Sequence, residues 1–318
     1  MRLVRDRVEL PDGDFVVLDW AALGGGAESG TEDSLPLVLV LHGLEGSAQS
    51  KYALETYRQL AARGVASVGL NFRSCGGELN RLPRLYHSGD TGDVRFIVDL
   101  LRQRFPHRSL GAIGFSLGGN VLLKYLGEEG RSGPGGLAGL SAAAAISVPY
   151  DLSAGADSLE VGFARIYVWR LLRSLKAKLR AKAGQVRGLL DLERAMESRT
   201  FREFDDAATA PLHGFQDVDD YYRRSSSRQY LHAIDVPTRL IHAADDPFLP
   251  AAAMPLREVR ENATLEAAFT ARGGHVGFVT GHPWARRYWA EAMAADFVAR
   301  RLRDGTVSGA SSAFGTAR

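Results

Sequence analysis

Short, fully apolar runs alternating with helix-patterned segments constrain this chain more than any other feature. Residues 36–41 read Pro-Leu-Val-Leu-Val-Leu without a polar side chain, as expected of a central strand buried on both faces of a parallel sheet. Further strands are predicted at residues 4–10, 15–20, 65–72, 110–115, 137–148, 236–243 and 264–270. Helices are predicted at 51–63, which stops at Gly64, at 90–105, which ends before Pro106, and from Asn120 onward. A last long helix is predicted over 283–303, with Trp284, Tyr288 and Trp289 near its start. This alternation predicts an α/β class protein: a mostly parallel central sheet flanked by helices, with right-handed crossovers. Residues 23–33 are Gly-rich and acidic and read as a loop. From about 153 to 230 no strand pattern is found, so a helical lid is expected above the strand ends. The expected organisation is a core of residues 1–152 and 231–303, a lid of residues 153–230, and a disordered Gly/Ser/Ala-rich tail at 304–318.

Composition narrows the function. A chain of 318 residues suits one large α/β domain with an insertion, or two modest domains. Its formal net charge of +2 gives no global attraction to nucleic acid, and no such partner is expected. The lone Cys75 allows no intrachain disulfide and excludes a Cys-rich zinc site. The opening residues are charged and lack the 7–15-residue apolar run of a secretory signal. No stretch approaches 18 uninterrupted apolar residues. The expectation is a soluble, cytoplasmic protein.

Gly114-Phe115-Ser116-Leu117-Gly118 carries the chemistry. In a G-x-S-x-G turn between strand and helix, the glycines relieve crowding and the serine hydroxyl is left exposed at the sheet edge. The pentapeptide alone is weak. Gly makes up 35 of the 318 residues, so a given serine is flanked this way by chance roughly 1% of the time. An apolar strand before it and a helix directly after it supply the context the motif requires. A nucleophilic serine needs a base, and in this arrangement acid and then histidine follow the serine along the chain. His275, in Gly273-Gly274-His275-Val276-Gly277, follows the last predicted core strand on a Gly-rich loop. His282 precedes Pro283 at an expected helix start, where packing explains it. The acid should follow the strand ending at Ala243, where Asp245 and Asp246 precede Pro247. Asp246 fits the spacing better; Asp245 remains the alternative acid or a second carboxylate near the pocket. The oxyanion needs two preorganised N–H donors. Leu117 should supply one and Leu44 the other, from the loop His42-Gly43-Leu44-Glu45-Gly46-Ser47, with His42 orienting that loop. His87 is a candidate pocket residue, and Cys75 reads as a buried small hydrophobe.

These segments, with Asn71-Phe72-Arg73, Tyr86-His87-Ser88-Gly89-Asp90-Thr91 and Asp245-Asp246-Pro247-Phe248, resemble the YheT-like branch of the α/β hydrolases. That branch is similar to the eukaryotic abhydrolase-domain 1/2/3 proteins. The resemblance runs from about residue 10 to 300 and includes Arg202–Asp206 and Tyr221-Tyr222 in the lid. It implies the α/β-hydrolase fold, a Ser-Asp-His triad and esterase-like or lipase-like activity. Where the family pattern would read Gly-Cys-Ser-Gly, this chain has Ser74-Cys75-Gly76-Gly77.

The expected reaction is hydrolysis of a carboxylic ester, including lipid or medium-chain acyl esters, through an acyl-enzyme. It needs no metal or organic cofactor. The alternatives are acyl transfer by the same triad and a non-catalytic ligand-binding protein of this fold. Residues 165–187 hold eight basic side chains and no acid, with Val168, Leu172, Leu175, Leu179 and Val186 on one helical face. The simpler reading is a lid helix packed on the core; the other is peripheral contact with an anionic membrane.

Overall fold

The computed structural model describes residues 1–22, 34–130, 139–162, 164–282 and 285–310. Eight strands form one sheet: β1 (Leu3–Glu9), β2 (Phe15–Ala21), β3 (Leu37–Leu41), β4 (Ala66–Asn71), β5 (Leu110–Phe115), β6 (Ala142–Ile146), β7 (Thr238–Ala243) and β8 (Leu265–Thr270). Their order is β1-β2-β4-β3-β5-β6-β7-β8. The β1–β2 and β2–β4 pairs are antiparallel, and every pairing from β4 to β8 is parallel. Helices of eight residues or more are α1 (Lys51–Ala61), α2 (Thr91–Arg104), α3 (Leu117–Gly130), α4 (Leu152–Leu159), α5 (Ala164–Ala181), α6 (Val218–Ser225) and α7 (Trp289–Ala310).

The apolar run of β3 is explained by what lies on either side of it. Leu37, Leu39 and Leu41 pack with Val94 and Ile97 of α2 and Val121 and Leu122 of α3. Val38 and Val40 point the other way, into a layer with Tyr57 and Leu60 of α1 and Val298 and Leu302 of α7. Strand side chains alternate between faces, so a strand covered by helices on both sides favours apolar residues at every position. The parallel strands end along one edge, where Leu41 lies opposite Gly114 and Phe115 opposite Ile146. The loops leaving that edge carry Gly43, Ser116, Ser147, Asp246 and His275.

The stretch between β6 and β7 is helical, containing α4, α5, α6 and shorter turns. Among its described residues there is no strand beyond an isolated bridge between Arg187 and Leu190. The apolar face of the basic segment (Val168, Leu172, Leu175, Leu179 and Val186) packs inside this insertion against Phe201, Phe204 and Ala208. Its outward face carries Ile166 and Trp169, which are exposed among arginines. Among the described residues, no helix is long and apolar enough to cross a membrane.

The C-terminal region departs from expectation. In place of one helix over 283–303, a hairpin forms from β9 (Val279–His282) and β10 (Ala285–Tyr288), and α7 starts only at Trp289. Val279, Thr280 and Tyr288 are strand formers, and the Trp289 N–H closes the hairpin on the Phe278 carbonyl at 2.8 Å. His282 therefore lies on a strand rather than at a helix start. The last helix, α7, runs to Ala310, seven residues into the segment expected to be a tail. Residues 311–318 and the loop at 23–33 lie outside the described residues, as do the first two residues of the strand expected at 137–148, which begins at Ala142.

Glu291 in the first turn of α7 is 3% exposed. Burial raises its carboxyl from 4.5 to about 7. A carboxyl with a raised folded-state value favours folding below about pH 4.5 and loses that contribution as pH rises through 7. Glu291→Gln should therefore stabilise the protein at pH 8 by on the order of 3 kcal/mol and change little at pH 4. Urea unfolding at the two pH values measures the difference, and equal effects at both would exclude this origin.

Candidate active site

Ser116 is the single residue between β5 and α3, and it sits at a positive φ of 49°. The tightness of this turn dictates its glycines. A Cβ on Gly114 would stand 2.6 Å from the Gly118 carbonyl oxygen, and one on Gly118 would stand 2.5 Å from that of His42. The Ser116 N–H donates to Ile146 O at 2.8 Å, and Asn120 N–H donates back to Ser116 O at 3.0 Å. The hydroxyl is thereby fixed at the C-terminal edge of the sheet.

His275 reaches that hydroxyl from the loop after β8. Two side chains hold the loop through three hydrogen bonds. Asp245 Oδ1 accepts the N–H groups of Gly273 and Gly274, both at 2.8 Å, and Ser147 Oγ accepts the Val276 N–H at 3.0 Å. The imidazole then lies with Nε2 2.9 Å from Ser116 Oγ and Nδ1 2.9 and 3.1 Å from the two oxygens of Asp246. Asp246 is 5% exposed, accepts the Phe248 N–H at 2.8 Å, and is thus held from two sides. The Phe248 ring stacks on His275 with centroids 4.1 Å apart. Asp245, expected near the pocket or as the alternative acid, is exposed and does not line the cavity. Consecutive side chains leaving a strand diverge, so one aspartate turns inward to the imidazole and the other grips the loop that carries it.

The loop after β3 is shaped by three rings. His42 Nε2 accepts the Phe72 N–H at 3.1 Å, so its proton is on Nδ1, which donates to Gly43 O at 2.7 Å. Burial lowers its pKa to about 4, which keeps the ring neutral. Tyr52 Oη accepts the Gly43 N–H, and Tyr86 Oη accepts the Glu45 N–H. Leu44 and Leu117 both border the cavity at Ser116. Among the described residues, neither of their N–H groups donates to a protein acceptor. This pair of open amides lies where donors to an oxyanion would be needed beside the Ser116 hydroxyl.

Glu45 was not singled out in the sequence, yet it ties this loop to the insertion. It has a positive φ of 54°, and its carboxylate accepts hydrogen bonds from Tyr86 Oη (2.9 Å), Lys178 Nζ (2.7 Å) and Ser174 Oγ. Ser174 and Lys178 lie four residues apart on α5. Nothing in the basic run distinguishes Lys178 from its neighbours, and only the tertiary contact reveals it. Lys178→Met would strand a carboxylate whose side chain is 4% exposed and should lower stability by about 3 kcal/mol. The double variant with Glu45→Gln should recover most of that in thermal melts; a double variant no more stable than the single would show the pair is not coupled. Lys178 Nζ also lies 3.2 Å from Cys75 Sγ. Burial pushes that thiol up to about 11, so it is protonated at neutral pH and is no rival nucleophile.

Ser116, His275, Leu44 and His87 open into one cavity of about 1240 Å³, whose other wall is built by Leu159, Leu175, Phe201 and Phe204 of the insertion. His87 is among the residues that line this cavity. Behind the site, His242 is fully buried with Nε2 3.6 Å from Asp246. Burial lowers its pKa to about 4, so it adds no charge beside the acid.

Residues 36–278 match a family described as the alpha/beta hydrolase fold. Over 298 residues the chain is 39% identical to YheT of Escherichia coli (strain K12), covering 93% of this chain and 84% of that protein. It is 30% identical over 281 residues to phospholipase ABHD3 of Mus musculus, covering 88% of this chain and 67% of that one. Among solved structures, the esterase Pf2001 of Pyrococcus furiosus matches with a TM-score of 0.59 at 17% identity, covering 94% of this chain and 92% of that one. At that identity the likeness shows the fold.

Proposed function

The chain belongs to the α/β-hydrolase family, in its YheT-like branch, and from that premise we propose that it hydrolyses small-molecule or lipid carboxylic esters through a Ser116–His275–Asp246 acyl-enzyme mechanism. The observation carrying this reading is the unbroken hydrogen-bond chain from Ser116 Oγ through His275 to Asp246. Asp246 accepts the Nδ1 proton of His275 and so fixes the tautomer whose Nε2 can take the Ser116 proton. Ser116 attacks the ester carbonyl, and the Leu44 and Leu117 amides hold the oxygen that becomes negative. His275 returns its proton to the departing alcohol. Water, activated by the same imidazole, then releases the acid.

In this reading the insertion is a lid whose apolar wall takes the acyl chain. The cavity exceeds the roughly 300–1,000 Å³ of ordinary small-molecule sites, which suits a lipid-sized ester. Any peripheral membrane contact would use the outward face of α5, since its inward apolar face is covered. A fluorophosphonate probe should label the wild-type protein at Ser116, with turnover of p-nitrophenyl esters alongside. An unlabelled, inactive wild type would overturn the assignment.

A further inference from the structure

The turn that carries the Leu44 amide is held from two sides, and one of them is the insertion. Gly43 to Gly46 form a tight turn in which the Gly46 N–H donates to Gly43 O at 3.0 Å. His42 Nδ1 donates to the same oxygen at 2.7 Å. The Gly43 C=O and the Leu44 N–H belong to one trans peptide, so they point in opposite directions. Whatever fixes the carbonyl therefore fixes the amide. Gly43 itself lies against the nucleophile: a Cβ on it would stand 3.2 Å from that of Ser116.

Glu45 is the third residue of this turn, at its positive φ of 54°. A turn residue in that conformation is ordinarily glycine or asparagine. In another residue it persists only where the surroundings impose it. Here the Glu45 N–H donates to Tyr86 Oη at 2.8 Å, and among the described residues three groups donate to its carboxylate: Tyr86 Oη, Lys178 Nζ and Ser174 Oγ. The last two come from α5. The Leu44 side chain packs against the sheet's core and against the insertion's core as well. The helix has a separate anchor just beyond its end, where Lys182 Nζ donates to Asn80 O at 2.7 Å. Loss of the Lys178 amine would thus free Glu45 without unseating the helix.

We propose that Glu45 is a positioning residue for the oxyanion donor, and that α5 sets it. With Ser174 and Lys178 on the carboxylate, the turn keeps its positive φ, Gly46 stays closed on Gly43 O, and the Leu44 N–H faces the oxygen that becomes negative. Without them Glu45 relaxes to a negative φ, the Gly43–Leu44 peptide rotates, and the donor is lost. The insertion is then part of the catalytic apparatus as well as a wall of the cavity. This rests on Ser116 as nucleophile and Leu44 as oxyanion donor.

The test uses two probes. One is p-nitrophenyl acetate, whose acyl group is too short to need the insertion's apolar wall. The other is an aryl trifluoromethyl ketone: Ser116 Oγ bonds its carbonyl carbon, the hydroxyl proton passes to His275, and the ketone oxygen becomes an oxyanion. Loss of a whole oxyanion donor costs about 100–1,000-fold in kcat, so Lys178→Met should lower kcat about 10–100-fold with KM within about twofold. Affinity for the ketone should fall by the same factor. Ser174→Ala should act in the same direction by a smaller factor. Loss of folded protein would reduce the number of active sites and leave the affinity of each unchanged. Two double variants separate the backbone from the buried charge. Glu45→Gly with Lys178→Met removes the stranded carboxylate and takes a positive φ without strain, so kcat should return to within about fivefold of wild type. Glu45→Ala with Lys178→Met removes the same carboxylate and keeps the strain, so kcat should stay low. Equal kcat in the two double variants, a Lys178→Met effect on KM alone, or an unchanged ketone affinity would each overturn the inference and leave the esterase reading standing. A wild type that neither turns over the ester nor forms the ketone adduct would count against the esterase reading and take this inference with it.

Discussion

Ser116→Ala will lower kcat on any ester substrate by roughly 10⁵–10⁶-fold and abolish fluorophosphonate labelling, with KM little changed. The magnitude follows from losing covalent catalysis as a whole, since His275 and Asp246 then have no proton to move. The oxyanion amides and the cavity remain, so a residual rate above the uncatalysed one should persist. The substitution also separates chemistry from strain. Ser116 holds a left-handed backbone conformation that costs a non-glycine residue on the order of 1 kcal/mol or more. Ser116→Gly should therefore be as inactive as Ser116→Ala yet melt at a higher temperature. A Ser116→Ala variant with full activity would remove the nucleophile assignment.

The second large effect discriminates the two aspartates. Asp246→Asn should lower kcat by about 10⁴-fold, because an amide can hold the wrong tautomer and cannot stabilise the imidazolium. Asp245→Asn should be mild, since an amide oxygen can still accept the Gly273 and Gly274 N–H groups. Asp245→Ala should fall between them, about tenfold down, with the loop loosened and the imidazole intact. Steady-state kinetics on one p-nitrophenyl ester ranks all three. The reverse order would move the acid to Asp245.

The sheet was legible because its signal is a run of side chains. Residues 110–115 are a strand at those bounds, and 36–41 differ by one residue from β3. A strand buried on both faces is mostly apolar, so the pattern survives without tertiary context even where, as on β7, Thr238 and His242 are buried too. The hairpin β9–β10 was not legible, because Pro283 and the aromatics that follow it are compatible with a helix start as well as with paired strands. In the site, Ser116 and His275 could be assigned from chain order and turn chemistry, which are local. Spacing favoured Asp246 over Asp245 as the acid, but the hold of Asp245 on the Gly273 and Gly274 backbone was not legible, because it depends on where two adjacent side chains point. Glu45 and Lys178 were missed for a third reason. Each acquires its setting only when the insertion folds over the sheet edge, and their separation along the chain carries no pattern.

The grip of α5 on Glu45 bears on how such proteins can diversify. If the insertion merely covered the cavity, it could be traded among relatives as an interchangeable module that resets acyl selectivity and leaves the catalytic core untouched. Because Ser174 and Lys178 instead hold the residue next to Leu44, the module and the core share a part. Residues 45, 174 and 178 must therefore travel together in any chimaera, and substitutions that reshape the insertion are bound to drift in concert with the loop after β3.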